Sequence, residues 1–192
     1  MKLPWKLESL KRRLTRPAYE GFLLNINESS WDKIDKRART AVRKAVKNGV
    51  TIEESRDLKI LRRLWPVHRL HTLPKHELAK YQKMFVAMHD GSPVGAIVLE
   101  EAKPVLRYKY AASSREGRNL QANNLLLWKA VEHYMDKGFK YLILGWCSDD
   151  GIQSFKESFA TQYLIIPQEF WSFLDKTEPH RVIMIFEREP NE

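Results

Sequence analysis

The chain has 192 residues, 43% of them hydrophobic and 11% aromatic, a length suited to one domain with a packed core and incompatible with global disorder. No run approaches 18 uninterrupted apolar residues, so no membrane-spanning helix is predicted, and "MKLPWKLESLKRRLTRP" lacks the apolar segment of a secretory signal. The net charge of +9 is uneven: residues 1–48 hold 13 Lys/Arg against 5 Asp/Glu, whereas residues 49–192 hold 20 against 19. A basic first quarter points to a polyanionic partner (nucleic acid, anionic lipid head groups or a phosphorylated substrate), with an ordinary solvated face as the alternative. The lone Cys147 can form no internal disulfide, which fits a reducing cytoplasm.

In chain order, residues 1–30 read as a basic arm that includes a short strand or turn in "YEGFLLNIN", and residues 31–192 as the domain. Within "WDKIDKRARTAVRKAVK", residues 31–47, Ile34, Ala38, Ala41, Val42, Ala45 and Val46 recur at helical spacing and form one apolar stripe. Ser29 and Asp32 predict a capping box, and Gly49 the residue just past the C-terminus. Lys36, Arg37, Arg43 and Lys44 on the remaining face are candidate polyanion-binding residues. "VTIEES" predicts a strand, and "DLKILRRLWPVHRLH" and "PKHELAKYQ" predict helices broken at Pro66. "KMFVAMHD" and "VGAIVLEE" predict a hairpin turning at "GSP", followed by a third strand in "KPVLRYKYAAS". A long apolar helix over 119–136, a buried strand in "FKYLILGWC", a short helix in "DDGIQSFKESF" and a last strand in "RVIMIFE" complete the order. That order implies a mixed sheet with helices on its faces, an α+β fold or α/β sandwich.

The strand–helix–strand unit places the start of the long helix beside the centre of the sheet, where free N–H groups favour anions. Ser113, Arg118, Gln121, Asn123 and Asn124, in the lead-in "SSREGRNLQANN", are therefore candidate substrate-binding residues, with an exposed capped loop as the alternative. Strand alternation in "LRYKYAASS" predicts Tyr108 and Tyr110 on one face, directed into a cleft or into the core. His68 and His71, with His76 nearby, have no acidic or cysteine partner at a zinc-like spacing, so no metal site is expected. Cys147 has no histidine close in sequence and no "GxSxG" occurs, so neither points to a nucleophile. Lys156, in "GIQSFKESFATQ", is either a solvated helical lysine or a cation aimed at a reacting carbonyl.

The order of elements, with "LLLWKAVEHYMDKGFKYLILG" and then "GIQSFKESF", resembles a GNAT-fold acyltransferase domain. More narrowly it resembles the FemABX family, aminoacyl-tRNA-dependent transferases that add amino acids to peptidoglycan precursors. "KRARTAVRKAVKNGV" is similar to the basic helix introducing that family's second GNAT-like domain, and "FKESFA" to its "FKxxFG" signature; the likeness spans residues 30–187. It departs in Ala160, where the family has glycine, and in length, since complete members carry two such domains. The resemblance implies an enzyme in which Lys156 is catalytic, stabilising charge as an amine attacks an acyl ester, while Phe155 anchors the turn and acts, if at all, through its backbone. It also implies aminoacyl-tRNA as co-substrate with no bound cofactor, a peptidoglycan precursor as acceptor and a cytoplasmic location. The "(R/Q)xxGx(G/A)" motif of CoA-dependent relatives corresponds to "RNLQAN", where Gln121 and Asn123 would obstruct a pyrophosphate. Two alternatives stay open: an acyl-CoA-dependent N-acyltransferase acting on a small amine, and a non-catalytic module binding RNA or an anionic surface through the helix 31–47. Contact with a membrane surface and a homodimer formed through the apolar stripe are open as well.

Overall fold

The structure, a computed structural model, describes residues 19–66, 84–145 and 150–166. Among them seven strands form one sheet: β1 (Tyr19–Asn25), β2 (Thr51–Ser55), β3 (Met84–His89), β4 (Ser92–Ala102), β5 (Val105–Ser113), β6 (Tyr141–Gly145) and β7 (Gln162–Ile166). The helices are α1 (Ser30–Lys33), α2 (Lys36–Lys47), α3 (Leu58–Leu64), α4 (Arg115–Asn119), α5 (Ala122–Tyr134) and α6 (Asp150–Phe159). The sheet order is β2-β3-β4-β5-β6-β1-β7, and only β5 and β6 pair in parallel. A parallel pair needs a crossover connection, and α4 and α5 supply it.

Helices α2, α5 and α6 cover one face. Ala38, Val42 and Ala45 of α2, Leu125, Leu126 and Val131 of α5 and Phe159 of α6 pack there on Leu24, Phe85, Ile97, Leu106 and Leu142 of the strands. Residues 125–128 of α5 are all buried, so most of its circumference lies in the core, with Lys129 and Glu132 exposed on the remainder. On the opposite face α3 sets Leu61 against Met84, Val86, Ala96 and Val98. The result is the expected sandwich.

Several expectations change in detail. Strand β1 lies between β6 and β7, so residues 19–25, assigned to the arm, are internal to the sheet. Strand β7, beside it, was not foreseen. The helix expected over 31–47 is two helices, because Ile34 is extended with ψ 154°. Asp35, not Ser29, caps the second: the Arg37 N–H donates to its Oδ1 at 2.6 Å, whereas Ser29 makes no side-chain cap bond. The Arg39 guanidinium closes the first by donating to the Trp31, Asp32 and Ile34 carbonyls at 3.2, 2.8 and 2.7 Å. Gly49 is at φ +76° as expected, with the N–H groups of Gly49 and Val50 returning to the Val46 and Ala45 carbonyls. Val46, placed in the apolar stripe, is 55% exposed. The rest of the stripe is covered by α5 and α6, which removes the reason to expect a dimer through it. The hairpin turns at Asp90 and Gly91, φ 47° and 72°, two left-handed residues whose twist matches the flanking strands, so Ser92 and Pro93 begin β4. The long helix starts at Ala122, with Arg115–Asn119 a separate helix before it. Residues 1–18 of the arm, "PKHELAKYQ", His68, His71, His76, Cys147 and "RVIMIFE" lie outside the described residues.

Candidate active site

Strand β5 outruns its parallel neighbour. Val105, Leu106 and Arg107 register with Tyr141, Leu142 and Ile143, and past that point β5 continues to Ser113 and β6 to Gly145 without a further rung among the described residues. The sheet therefore carries a seam between the two strands.

At the start of the seam β5 bulges. Val98 of β4 is opposite Tyr110 while Leu99 is opposite Tyr108, leaving Lys109 as the extra residue. One extra residue reverses the alternation, so the two tyrosines do not share a face as expected. Tyr108 packs on the core under α5 and α6, whereas Tyr110 lies on the α3 side, its ring 6.4 Å from that of Trp65. Burial pushes the Tyr108 phenol up, so it is neutral at physiological pH.

Lys156 reaches the same place from α6. It is 8% exposed, with Nζ 6.0 Å from the centre of the Tyr108 ring. A β-carbon built on Gly145, the last residue of β6, would stand 3.8 Å from that Nζ. Lysines are almost never so buried, and the solvated alternative is set aside. Phe155 is partly buried in the core with its ring 5.5 Å from that of Phe159, and its carbonyl accepts from the Ser158 hydroxyl at 2.7 Å. Ala160 closes the helix through its N–H to the Glu157 carbonyl at 3.0 Å and has no positive φ, so this turn does not require the family's glycine.

The other end of β5 leads into the polar turn. Ser114 caps α4 by accepting from the Gly117 N–H at 2.9 Å. Gly117 is pressed against β4: an added β-carbon would fall 2.1 Å from the Val94 carbonyl oxygen, so only glycine fits. Arg118 donates to the Ser113 carbonyl at 2.9 Å, and Asn123 Nδ2 donates to Ser113 Oγ at 3.2 Å. Gln121 sits at φ +63°, donates to the Arg118 carbonyl and accepts from Asn124 Nδ2 at 3.2 Å. Asn123 Oδ1 is buried without a hydrogen-bond partner and lies 3.4 Å from where a Gly95 β-carbon would be. The structure thus brings Ser113, Arg118, Gln121, Asn123 and Asn124 together, largely bonded to one another and to the backbone. Gln121 takes up the left-handed conformation that a glycine would supply and adds a side chain to it.

The candidate polyanion-binding residues lie on the outer face of α2. Lys36, Arg43 and Lys44 are exposed, and the Arg43 guanidinium is 5.5 Å from the Trp31 ring centre. Arg37 is held by Asp35 at 3.1 Å, which lowers the carboxyl's pKa. Lys47, exposed on the same basic face, shares a helical row with Lys36 and Arg43. Missed in the sequence were Gly117 and Gly145. Gly145 lies inside the predicted strand "FKYLILGWC", which the structure ends at that glycine. Among the described residues no His, Cys, Asp and Glu group could hold a metal ion, and no helix is long and apolar enough to cross a membrane.

Residues 67–157 match the family model described as an acetyltransferase (GNAT) domain. The structure superposes on FemX with a TM-score of 0.62 at 15% identity, over 81% of this chain and 64% of that one. This is a GNAT fold. A second GNAT-fold likeness is to the C-terminal domain of a putative lysylphosphatidylglycerol synthetase from Agrobacterium fabrum, with a TM-score of 0.55 at 17% identity over 80% of this chain and 55% of that one. A third is to the glucosamine N-acetyltransferase region of a fungal multi-domain β-N-acetylglucosaminidase, with a TM-score of 0.52 at 13% identity over 84% of this chain and 22% of that one. This GNAT-fold chain spans less than two thirds of each of the three. The sequence matches no curated protein.

Proposed function

We propose that the protein is an acyltransferase that moves an aminoacyl group from an ester donor to an amine, with Lys156 stabilising the transition state. The observation that carries this is the ammonium of Lys156, buried beside Tyr108 and Gly145 where the β5–β6 ladder ends. The amine lone pair attacks the acyl carbonyl carbon, and the carbonyl π electrons move to oxygen. The Lys156 ammonium meets the negative charge that forms there. Collapse of the adduct expels the ester oxygen, and the proton lost by the amine ends on that leaving hydroxyl. A fixed cation in a water-poor site acts on charge that appears only in the transition state, and losing one such donor costs ~3–4 kcal/mol of barrier. Phe155 holds α6 in place through its ring.

The donor we favour is aminoacyl-tRNA. GNAT acyltransferases use acyl-CoA, but here the Gln121 and Asn123 side chains occupy the turn at which a CoA pyrophosphate would be received. The exposed cations Lys36, Arg43, Lys44 and Lys47 offer an anionic polymer a separate track, with Arg37 secondary because Asp35 holds it. The FemABX resemblance suggests the amine of a peptidoglycan precursor as acceptor and the cytoplasm as the location. Incubating purified protein with bulk tRNA charged with radiolabelled amino acids and a nucleotide-linked muropeptide bearing a lysine side chain tests both halves. Label transfer to the muropeptide that Lys156→Met lowers at least a hundredfold is the expected result. Transfer from acetyl-CoA but not from charged tRNA would reassign the donor, and full turnover by Lys156→Met would remove the catalytic lysine.

A further inference from the structure

We infer that Tyr108 is a positioning residue whose aromatic face, not its hydroxyl, seats the Lys156 ammonium at the seam. This rests on the reading that Lys156 meets the reacting carbonyl. The bulge at Lys109 turns the Tyr108 side chain to the side of the sheet from which α6 approaches. Nζ then lies 6.0 Å from the ring centre, within the range over which a ring quadrupole attracts a cation. That attraction grows where water is excluded, and Lys156 is 8% exposed.

The choice of an aromatic ring has a chemical consequence. A carboxylate at this position would also hold an ammonium, but its negative charge would cancel the field that the cation must project onto an acyl oxygen. A neutral ring attracts the ammonium and brings no negative charge. The Tyr108 phenol, kept protonated by burial, adds no negative charge of its own. Gly145 completes the seat. At φ +70° it brings no side chain against the ammonium, and an added methyl would stand 3.8 Å from Nζ.

The test uses the charged-tRNA and muropeptide assay on five variants of the full chain. Tyr108→Leu should lower kcat about tenfold with KM within about twofold, the size expected for a desolvated cation–π contact. Tyr108→Phe, which keeps the ring and loses the hydroxyl, should stay within about twofold of the parent in both constants. Because Tyr108 acts through the lysine, Tyr108→Leu placed in the Lys156→Met background should cost nothing further. Tyr108→Met, closer in volume and equally lacking a ring, replaces the leucine variant if the latter fails to fold, and the same fall in kcat is expected of it. A phenylalanine variant as slow as the leucine one would overturn the inference, because the hydroxyl would then be the working group. So would a tenfold loss that persists when Lys156 is already methionine. Full turnover by Lys156→Met alone is a different result, and it removes the catalytic reading beneath.

Discussion

Lys156 on α6 is buried with its ammonium over a tyrosine ring, whereas Lys36, Lys44 and Lys47 on α2 stand in water with no ion pair among the described residues. Both helices are amphipathic, and in the sequence their lysines look alike. Surroundings separate them. A cation drawn out of water opposes folding, because its hydration is lost, and in return it acts strongly on nearby charge. Cations left in water cost folding almost nothing, act weakly one at a time and are screened by salt. The first arrangement suits a reaction centre and the second suits capture of a charged polymer.

The largest effect that could break this contrast is in Lys156→Met. Turnover is expected to fall at least a hundredfold, about 3 kcal/mol or more of barrier. Steady-state rates and a melt on the same sample check this, and a collapse in stability would show Lys156 to be a structural cation instead. Next is Gly117→Ala, where the new methyl meets the Val94 carbonyl. Overpacking of this kind destabilises by about 1–3 kcal/mol, readable from urea unfolding, and a silent substitution would mean that α4 is free to shift on β4.

Charge reversal at Lys36, Arg43, Lys44 and Lys47 together is expected to abolish tRNA binding at moderate salt. In the parent, log affinity should fall steeply with log salt, by about 0.7–0.9 per phosphate neutralised. Stability should barely change, by about 0.5 kcal/mol or less per exposed position. An affinity indifferent to both salt and reversal would place the polymer elsewhere. The smallest effect is at the start of α2, where Asp35→Ala removes a cap worth about 1 kcal/mol. The hydrogen bonds from Arg37 hold the Asp35 carboxyl below its ordinary value of 3.8. Its contribution is therefore complete above that pH and is lost as the pH falls through the lowered value, while the alanine variant lacks this dependence. Unfolding curves between neutral and strongly acidic pH would show the difference.

The comparison also shows what was legible in advance. Periodicity found α2 and the buried α5, and alternation found the β3–β4 hairpin, because burying a stripe or a face leaves a repeating trace in the sequence. The split at Ile34 left none, since it depends on Arg39 closing three carbonyls that lie earlier in the chain. The tyrosine pair misled because one bulged residue reverses a period of two, and the sequence "RYKYA" does not announce a bulge. Lys156 was singled out by the motif around it, while its burial comes from β6 and the seam, which no local pattern contains. Gly117 could have been read only by knowing that α4 would meet the Val94 carbonyl.

Strand β1 has a consequence for the order in which the molecule is made. Leu23 registers with Ile143 on one side and Gln162 on the other, partners about 120 and 140 residues further along. A ribosome must therefore deliver nearly all of the described chain before this early strand can find its place. Until then β1 has neither of its neighbours and is open to chaperones or to a wrong partner. Contacts so distant in sequence slow folding. Shortening the chain from its start past residue 18 would remove an internal strand, and the two strands that flank it would lose their shared neighbour.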